Sequence, residues 1–251
     1  MRQTGSEIQD FTIGSKSVNF ALFEKEFGVY KHLVEMNGLN FQEVADLIRA
    51  TCQTELKPGF TFIDLACGDS ALMSQGLSTT SIAQYSGVDV SADALRLASH
   101  NLMDVPFKST LEQQDMLDAL AGMRGEADMI WCGLSVHHLG TDRKLEFMEL
   151  ARKALVPGGL LMIYEPVLDE DCSLPDFNAR LLPILQARWA ALEEGEFNYI
   201  WQHILDCDLP ETAAMWLDLG LRAGYSSAEV VFSEPIDQYC RLFKYRNAAL
   251  L

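Results

Sequence analysis

A chain of 251 residues, 49% hydrophobic and free of low-complexity runs, can bury one large core or a core with a lid, which excludes a disordered protein. Its formal charge of -17 repels a phosphate backbone, and its only basic cluster, Arg241, Lys244 and Arg246, is short, so no nucleic acid is expected as partner. No stretch reaches the roughly 18 apolar residues of a membrane span, and the opening MRQTGSEIQD lacks the apolar core of a secretory signal, so no membrane is expected and a cytoplasmic location is.

Residues 16 to 36 carry Phe20, Phe23, Phe27, Tyr30 and Val34 at helical spacing, and 41 to 52 repeat the pattern with Phe41, Val44, Leu47 and Ile48. Two N-terminal helices are predicted. Lys57, Pro58 and Gly59 punctuate the chain before the apolar run Phe60 to Leu65, which switches at Ala66-Cys67-Gly68-Asp69-Ser70 from strand to tight turn and helix start. A second apolar stretch ends in Gly87-Val88-Asp89-Val90. Ser91 then fits an N-cap for a helix showing Leu95, Ala98 and Leu102 on one face.

A weaker strand is expected within 106 to 112 and a stronger one over Asp128 to Leu134, followed by a helix from about Thr141 with Leu145, Met148, Ala151 and Leu155 inward. Pro157-Gly158-Gly159 stops that helix and opens the run Leu160 to Tyr164. Five β-α steps in succession predict a parallel sheet covered on both faces.

The alternation breaks after Glu165. An acidic, aromatic-rich segment intervenes before the next helical pattern, Pro210 to Arg222, and reads as a lid over a substrate. Within it, Phe177, Leu181, Ile184, Leu185, Trp189 and Leu192 suggest an amphipathic helix, whereas Phe197, Tyr199, Trp201 and His203 nearly alternate. Residues 228 to 232 and 237 to 243, separated by Ser233-Glu234-Pro235, predict a terminal antiparallel strand pair and hence a mixed seven-stranded sheet. The chain is divided into an N-terminal helical cap (1–56), a ligand-binding core (57–166), a lid or substrate insertion (167–208) and a segment completing the core sheet (209–251).

The six cysteines, Cys52, Cys67, Cys132, Cys172, Cys207 and Cys240, never form a CxxC pair, so reduced thiols are the default. His137 and His138, taken as strand neighbours, would aim in opposite directions, which argues against shared metal ligation.

In open α/β sheets, ligands lie beyond the carboxyl ends of the strands where strand order reverses. Asp64, Gly68, Asp89, Asp115 and the segment Cys132 to His138 all fall at or just past predicted strand ends. Ala66, Cys67 and Gly68 allow a ligand to approach the backbone, although a plain tight connection would have the same small residues. Asp89 can accept hydrogen bonds from both hydroxyls of a ribose. A dinucleotide fingerprint would add a third glycine and a helix start for pyrophosphate; here Asp69 stands near that start and would repel it.

Asp64-Leu65-Ala66-Cys67-Gly68, Gly87-Val88-Asp89-Val90-Ser91, Gln114-Asp115-Met116, Asp128 to Leu139 and Val156-Pro157-Gly158-Gly159 resemble the ordered motifs of class I S-adenosylmethionine-dependent methyltransferases. The resemblance spans about residues 60 to 166, and departs from the family where Ala66 and Ser70 replace glycines common there. It implies an α/β, three-layer αβα Rossmann-like fold with an antiparallel last strand, N-terminal helices and a helical lid. It also implies S-adenosylmethionine as cofactor and S-adenosylhomocysteine as product. Asp64 would orient the methionyl ammonium, Ala66 and Gly68 line the methionyl portion, and Asp89 hold the ribose. Val90 would pack on adenine, Asp115 with Met116 read the adenine edge, and Cys132 and Leu134 border the sulfonium region.

Methyl transfer needs alignment and water exclusion more than a catalytic constellation, but a hydroxyl, thiol or ammonium acceptor is helped by a base. His137 is the favoured base, with His138 as alternate, and Glu165 could meet a substrate cation or cap a loop. Tyr199, Trp201 and His203 in the insertion and Tyr30 from the N-terminal helix are the candidate acceptor contacts, although an aromatic at helical spacing equally anchors an insertion. Catechol-type relatives bind magnesium through acidic residues beyond the fourth strand, where this chain has Gly133, Leu134 and Ser135, so no metal is expected. The acceptor is expected to be a small molecule and the protein a monomer or homodimer. Cyclisation, elimination or aminocarboxypropyl transfer from the same cofactor, and non-catalytic binding, remain alternatives.

Overall fold

The computed structural model describes residues 11–13, 16–18 and 32–249. A short antiparallel hairpin, β1 (Phe11–Ile13) and β2 (Lys16–Val18), precedes the main body. The helix predicted over 16 to 36 is thus corrected at its start, where Lys16–Val18 is extended and paired. A helical turn occupies 32–35, while Phe20, Phe23, Phe27 and Tyr30 lie outside the described residues.

Helix α1 (Phe41–Glu55) leads into β3 (Phe60–Leu65), α2 (Ala71–Leu77), β4 (Ile82–Asp89), α3 (Ala92–Asn101), β5 (Lys108–Gln113), α4 (Met116–Gly122) and β6 (Ala127–Gly133). After a 3-10 turn at Val136–His138 come α5 (Thr141–Ala154), β7 (Leu155–Leu168), α6 (Leu174–Arg188), α7 (Glu194–Cys207), β8 (Glu211–Thr212), α8 (Ala213–Arg222), β9 (Ser227–Ser233) and β10 (Cys240–Arg246). The sheet order is β5-β4-β3-β6-β7-β10-β9, with the two-residue β8 added parallel to the end of β7. The first five strands are parallel, and β10 runs antiparallel to both β7 and β9. The expected mixed sheet is present, with β8 as an unforeseen addition.

Alternation along the buried strands builds two cores, one on each face. Phe62, Met129, Met162, Tyr164 and Leu242 pack toward α1, α6 and α7. Ile63, Leu65, Ile130, Cys132, Ile163 and Phe243 pack toward α5 and α8. Val156 to Gly159 form no pair with β6, whose register jumps from Ala127↔Leu155 to Met129↔Leu160, so the Pro-Gly-Gly turn bulges out at the foot of β7.

Capping explains several helix starts. Ser91 accepts from Ala94 N as expected, Ser173 accepts from Asp176 N, and Thr212 accepts from Met215 N. The near alternation over 197 to 203 is overruled by a capping box, Glu193 with Glu196, that starts α7. Tyr199 and His203 thereby become neighbours four apart on one helix. Strand β7 also extends past Glu165 to Leu168, so that residue lies inside a strand rather than at its end.

Candidate functional site

Strand order reverses on either side of β3, and the carboxyl ends of β3, β4 and β6 open onto a cavity of about 280 Å³ roofed by residues 33–41, by Trp189 just beyond α6 and by α7. The turn after β3 shapes its floor. Ala66, Gly68 and Ser70 all adopt left-handed backbone, with φ of 52°, 54° and 54°, so the chain folds tightly beneath the ligand space. Two of these positions carry a Cβ there, which costs about 1 kcal/mol each.

Asp64 and Asp89 face this turn, 2% and 6% exposed. Tyr85, brought beside β3 by the parallel register Phe62↔Tyr85, places its hydroxyl 2.6 Å from Asp64 Oδ2 and 2.8 Å from Ser70 Oγ. Asp89 Oδ2 accepts from Gly68 N at 2.8 Å and its Oδ1 from Ser91 N at 2.8 Å. Among the described residues no side-chain cation pairs with either carboxylate. Burial therefore pushes Asp64 up to about 7, Tyr85 partly opposing and the Asp89 charge adding to the rise. Burial raises Asp89 as well, against the amides of Ser91 and Gly68.

The opposite end of the cavity holds a cluster of histidines and carboxylates. Glu165, fully buried, accepts from Val136 N at 3.0 Å and Ser135 N at 3.3 Å, and its Oε2 lies 2.6 Å from His137 Nδ1. His137 Nε2 lies 3.3 Å from Asp208 Oδ1, so both ring nitrogens face carboxylates. Burial works against the imidazolium, but Asp208 and Glu165 outweigh it and raise His137 to about 10. His138 is pushed the other way, by burial and by the His137 charge. The two rings are 4.0 Å apart, centroid to centroid, and His203 meets His138 edge-on at 5.1 Å. The expectation that adjacent histidines must point apart is therefore corrected, because Val136–His138 forms a 3-10 turn rather than strand.

Asp208 reaches this cluster because the chain leaving α7 is clamped to the start of α5. Leu209 N donates to His137 O at 3.0 Å, Lys144 Nζ donates to Leu209 O and, at 2.9 Å, to Glu211 Oε1, and Thr141 Oγ1 donates to Glu211 at 2.8 Å. Lys144 is fully buried, with Nζ 5.3 Å from the Trp216 ring centroid. Burial lowers its pKa, and Glu211 offsets part of that cost.

Of the residues singled out from sequence, Asp64, Ala66, Gly68, Asp89, Leu134, His137, His138, Tyr199 and His203 line the cavity. Glu165 supports it from behind through His137. Cys132 is fully buried within β6, Met116 packs against the α5–α8 core, and Asp115 caps α4 by accepting from Leu117 N at 2.8 Å. Val90 is half-buried beside Asp89. Trp201 packs against the other core instead of facing the cavity. Tyr85, Lys144 and Asp208 were not legible. The first looks like an ordinary strand residue, and the other two acquire meaning only through partners more than 60 residues away in sequence.

Residues 62–159 match a protein family described as a methyltransferase domain. A cyclopropane mycolic acid synthase of Mycobacterium bovis is 31% identical over 128 residues, 49% of this chain and 42% of that protein. The chain thus spans less than half the length of this curated relative. Among solved structures, a possible exported protein of Bordetella parapertussis aligns with a TM-score of 0.61 at 18% identity, covering 82% of this chain and 68% of the other. A protein of Haloferax volcanii, solved in complex with the Trm112 methyltransferase activator, aligns with a TM-score of 0.61 at 14% identity over 90% and 98% of the two chains.

Proposed function

We propose that this chain, whose residues 62–159 match a methyltransferase domain, is a class I S-adenosylmethionine-dependent methyltransferase and methylates a small-molecule acceptor held between the sheet and helix α7. The observation that carries this reading is the pair of buried carboxylates, Asp64 and Asp89, lining one end of the cavity without a cationic partner among the described residues. A ligand bearing an ammonium and a ribose answers both, the first through charge and the second through paired hydroxyls. Asp64 would orient the ammonium, the backbone from Ala66 to Gly68 would line the methionyl portion, and Asp89 would hold the ribose. Leu134 would border the transfer region. Val90 and the Asp115–Met116 turn would flank adenine, Asp115 doing so while its carboxylate caps α4.

When bound, the cofactor supplies a methyl group already activated for in-line displacement. What remains for the protein is to align the acceptor and exclude water. Tyr199, His138 and His203 face the acceptor end. His137 offers no free nitrogen, since Glu165 and Asp208 occupy both sides of its ring, and is assigned a positioning role. Trp201 supports α7 from the core side. Cys52, Cys67, Cys132, Cys172 and Cys240 are free thiols, which supports a cytoplasmic setting. No helix among the described residues is long and apolar enough to cross a membrane.

Incubation with methyl-labelled S-adenosylmethionine and a panel of small acceptors tests the reading. Labelled acceptor with stoichiometric S-adenosylhomocysteine is expected. Methylthioadenosine as the nucleoside product would instead place the chemistry on the aminocarboxypropyl carbons and overturn methyl transfer.

A further inference from the structure

The histidine cluster contains a feature that cofactor binding leaves unexplained. Asp208 Oδ1 is buried, in a residue 8% exposed, and meets no donor in hydrogen-bonding geometry. The charge of the His137 imidazolium offsets part of the cost of burying this oxygen, and a directly bonded partner would offset more. Around it stand His137 Nε2 at 3.3 Å, His138 Nδ1 at 3.6 Å and His203 Nε2 at 3.9 Å. One ligand atom from each of His137, His138 and Asp208 lies within 4.8 Å of the others.

We propose that His137, His138 and Asp208 form a site for one divalent transition-metal ion of the zinc class at the acceptor end of the cavity. Bonds of about 2.0–2.1 Å to imidazole nitrogen and carboxylate oxygen set tetrahedral ligand separations of about 3.3–3.4 Å, close to the 3.3 and 3.6 Å seen here. Two imidazoles and one carboxylate suit zinc or cobalt rather than magnesium or calcium, which take oxygen sets. The support behind the ligands is also present. Glu165 Oε2, 2.6 Å from His137 Nδ1, accepts the proton of that nitrogen, and the ion would take the place of the proton between Nε2 and Asp208. Lys144, Thr141 and Glu211 hold the segment that delivers Asp208.

Three protein ligands leave one position of a tetrahedral ion open, and these residues line the cavity. An acceptor with an anionic oxygen or sulfur is the class that would occupy it. This last step rests on the methyl-transfer reading; the metal site itself does not.

The test strips the full-length protein with a chelator, removes the chelator, and titrates cobalt(II) and then zinc(II). Expected are one equivalent bound per chain, ligand-field bands of a low-coordinate cobalt site, and displacement of cobalt by zinc. Asp208→Asn and His138→Gln should abolish those bands, and Glu165→Gln should weaken binding by about 10- to 100-fold. Circular dichroism verifies that each variant is folded. Should a variant unfold, protection of the cluster imidazoles from acylation by diethyl pyrocarbonate on zinc addition gives the same answer in the wild type. Wild-type protein that takes up no stoichiometric metal at micromolar zinc, or cobalt bands unchanged in folded Asp208→Asn, overturns the site. Stoichiometric metal without S-adenosylhomocysteine production would instead overturn the methyl-transfer reading alone.

Discussion

Cofactor affinity should depend on the ionisation of Asp64. In the free protein its carboxyl is pushed up to about 7 from an ordinary 3.8, chiefly by burial. An ammonium placed beside it favours the charged form, so only the ionised fraction binds at full strength and binding below neutrality releases a proton. Between pH 5.5 and 7.0, where an α-ammonium stays largely protonated, the ionised fraction rises from about 3% to about half, so affinity should rise about 15-fold, or about 1.6 kcal/mol. Isothermal titration with S-adenosylhomocysteine over this range, in two buffers of different ionisation enthalpy, measures both the affinity and the proton. Asp64→Asn should flatten the profile, and Tyr85→Phe should move it to higher pH, because the tyrosine hydroxyl favours the carboxylate. The sign for stability is opposite. A folded pKa above the unfolded one means that the native state holds the proton more tightly, so the ligand-free fold loses stability as pH rises from about 4 through 7. A flat affinity profile in the wild type, or the same slope in a folded Asp64→Asn, would refute the reasoning.

Asp89→Ala should weaken cofactor binding by roughly 1.5 to 3 kcal/mol and, because it also frees the amides of Gly68 and Ser91, should lower stability by about 1–3 kcal/mol in urea melts. His137→Ala leaves Glu165 and Asp208 buried without their shared imidazole, and chelator-treated protein should lose about 3–5 kcal/mol in the same assay. With His137 raised to about 10 against 6.5, its contribution is fully present below about pH 6.5 and is lost as pH rises through 10. A wild-type stability curve that matches the variant's in shape over this range would remove the imidazolium from the account. Gly220 on α8 packs under Tyr245, where an added Cβ would sit 2.3 Å from the ring, so Gly220→Ala should lower stability by about 1–3 kcal/mol and leave cofactor affinity unchanged.

The periodic and punctuated parts of the molecule were legible in the amino-acid order. Buried strands such as β3 and β6 are short apolar runs ended by small residues, and Ser91 announces α3, because these signals act within one or two turns of backbone. The order of strand ends was enough to bring Asp64, Gly68 and Asp89 to one crevice, since a parallel sheet places all such ends on the same side. Where aromatic spacing suggested alternation, over 197 to 203, a capping pair at Glu193 and Glu196 decided for helix. Tyr199 and His203 reached the cavity while Trp201 turned to the core.

What the tertiary structure alone decided is the company each polar group keeps. The sequence does not show that Asp115 caps α4 or that the His137 ring lies between two carboxylates. Lys144, on what the pattern marks as an exposed helical face, is buried by the returning 208–212 segment. Local sequence encodes dihedral preference and hydrophobic period over a few residues, enough for the strands, the turns and the meeting of Asp64, Gly68 and Asp89 at one end of the cavity. The ionisation and ligating capacity of a buried side chain depend on charges within a few ångströms, and for His137 one of these, Asp208, comes from a segment 71 residues further along the chain (208 − 137).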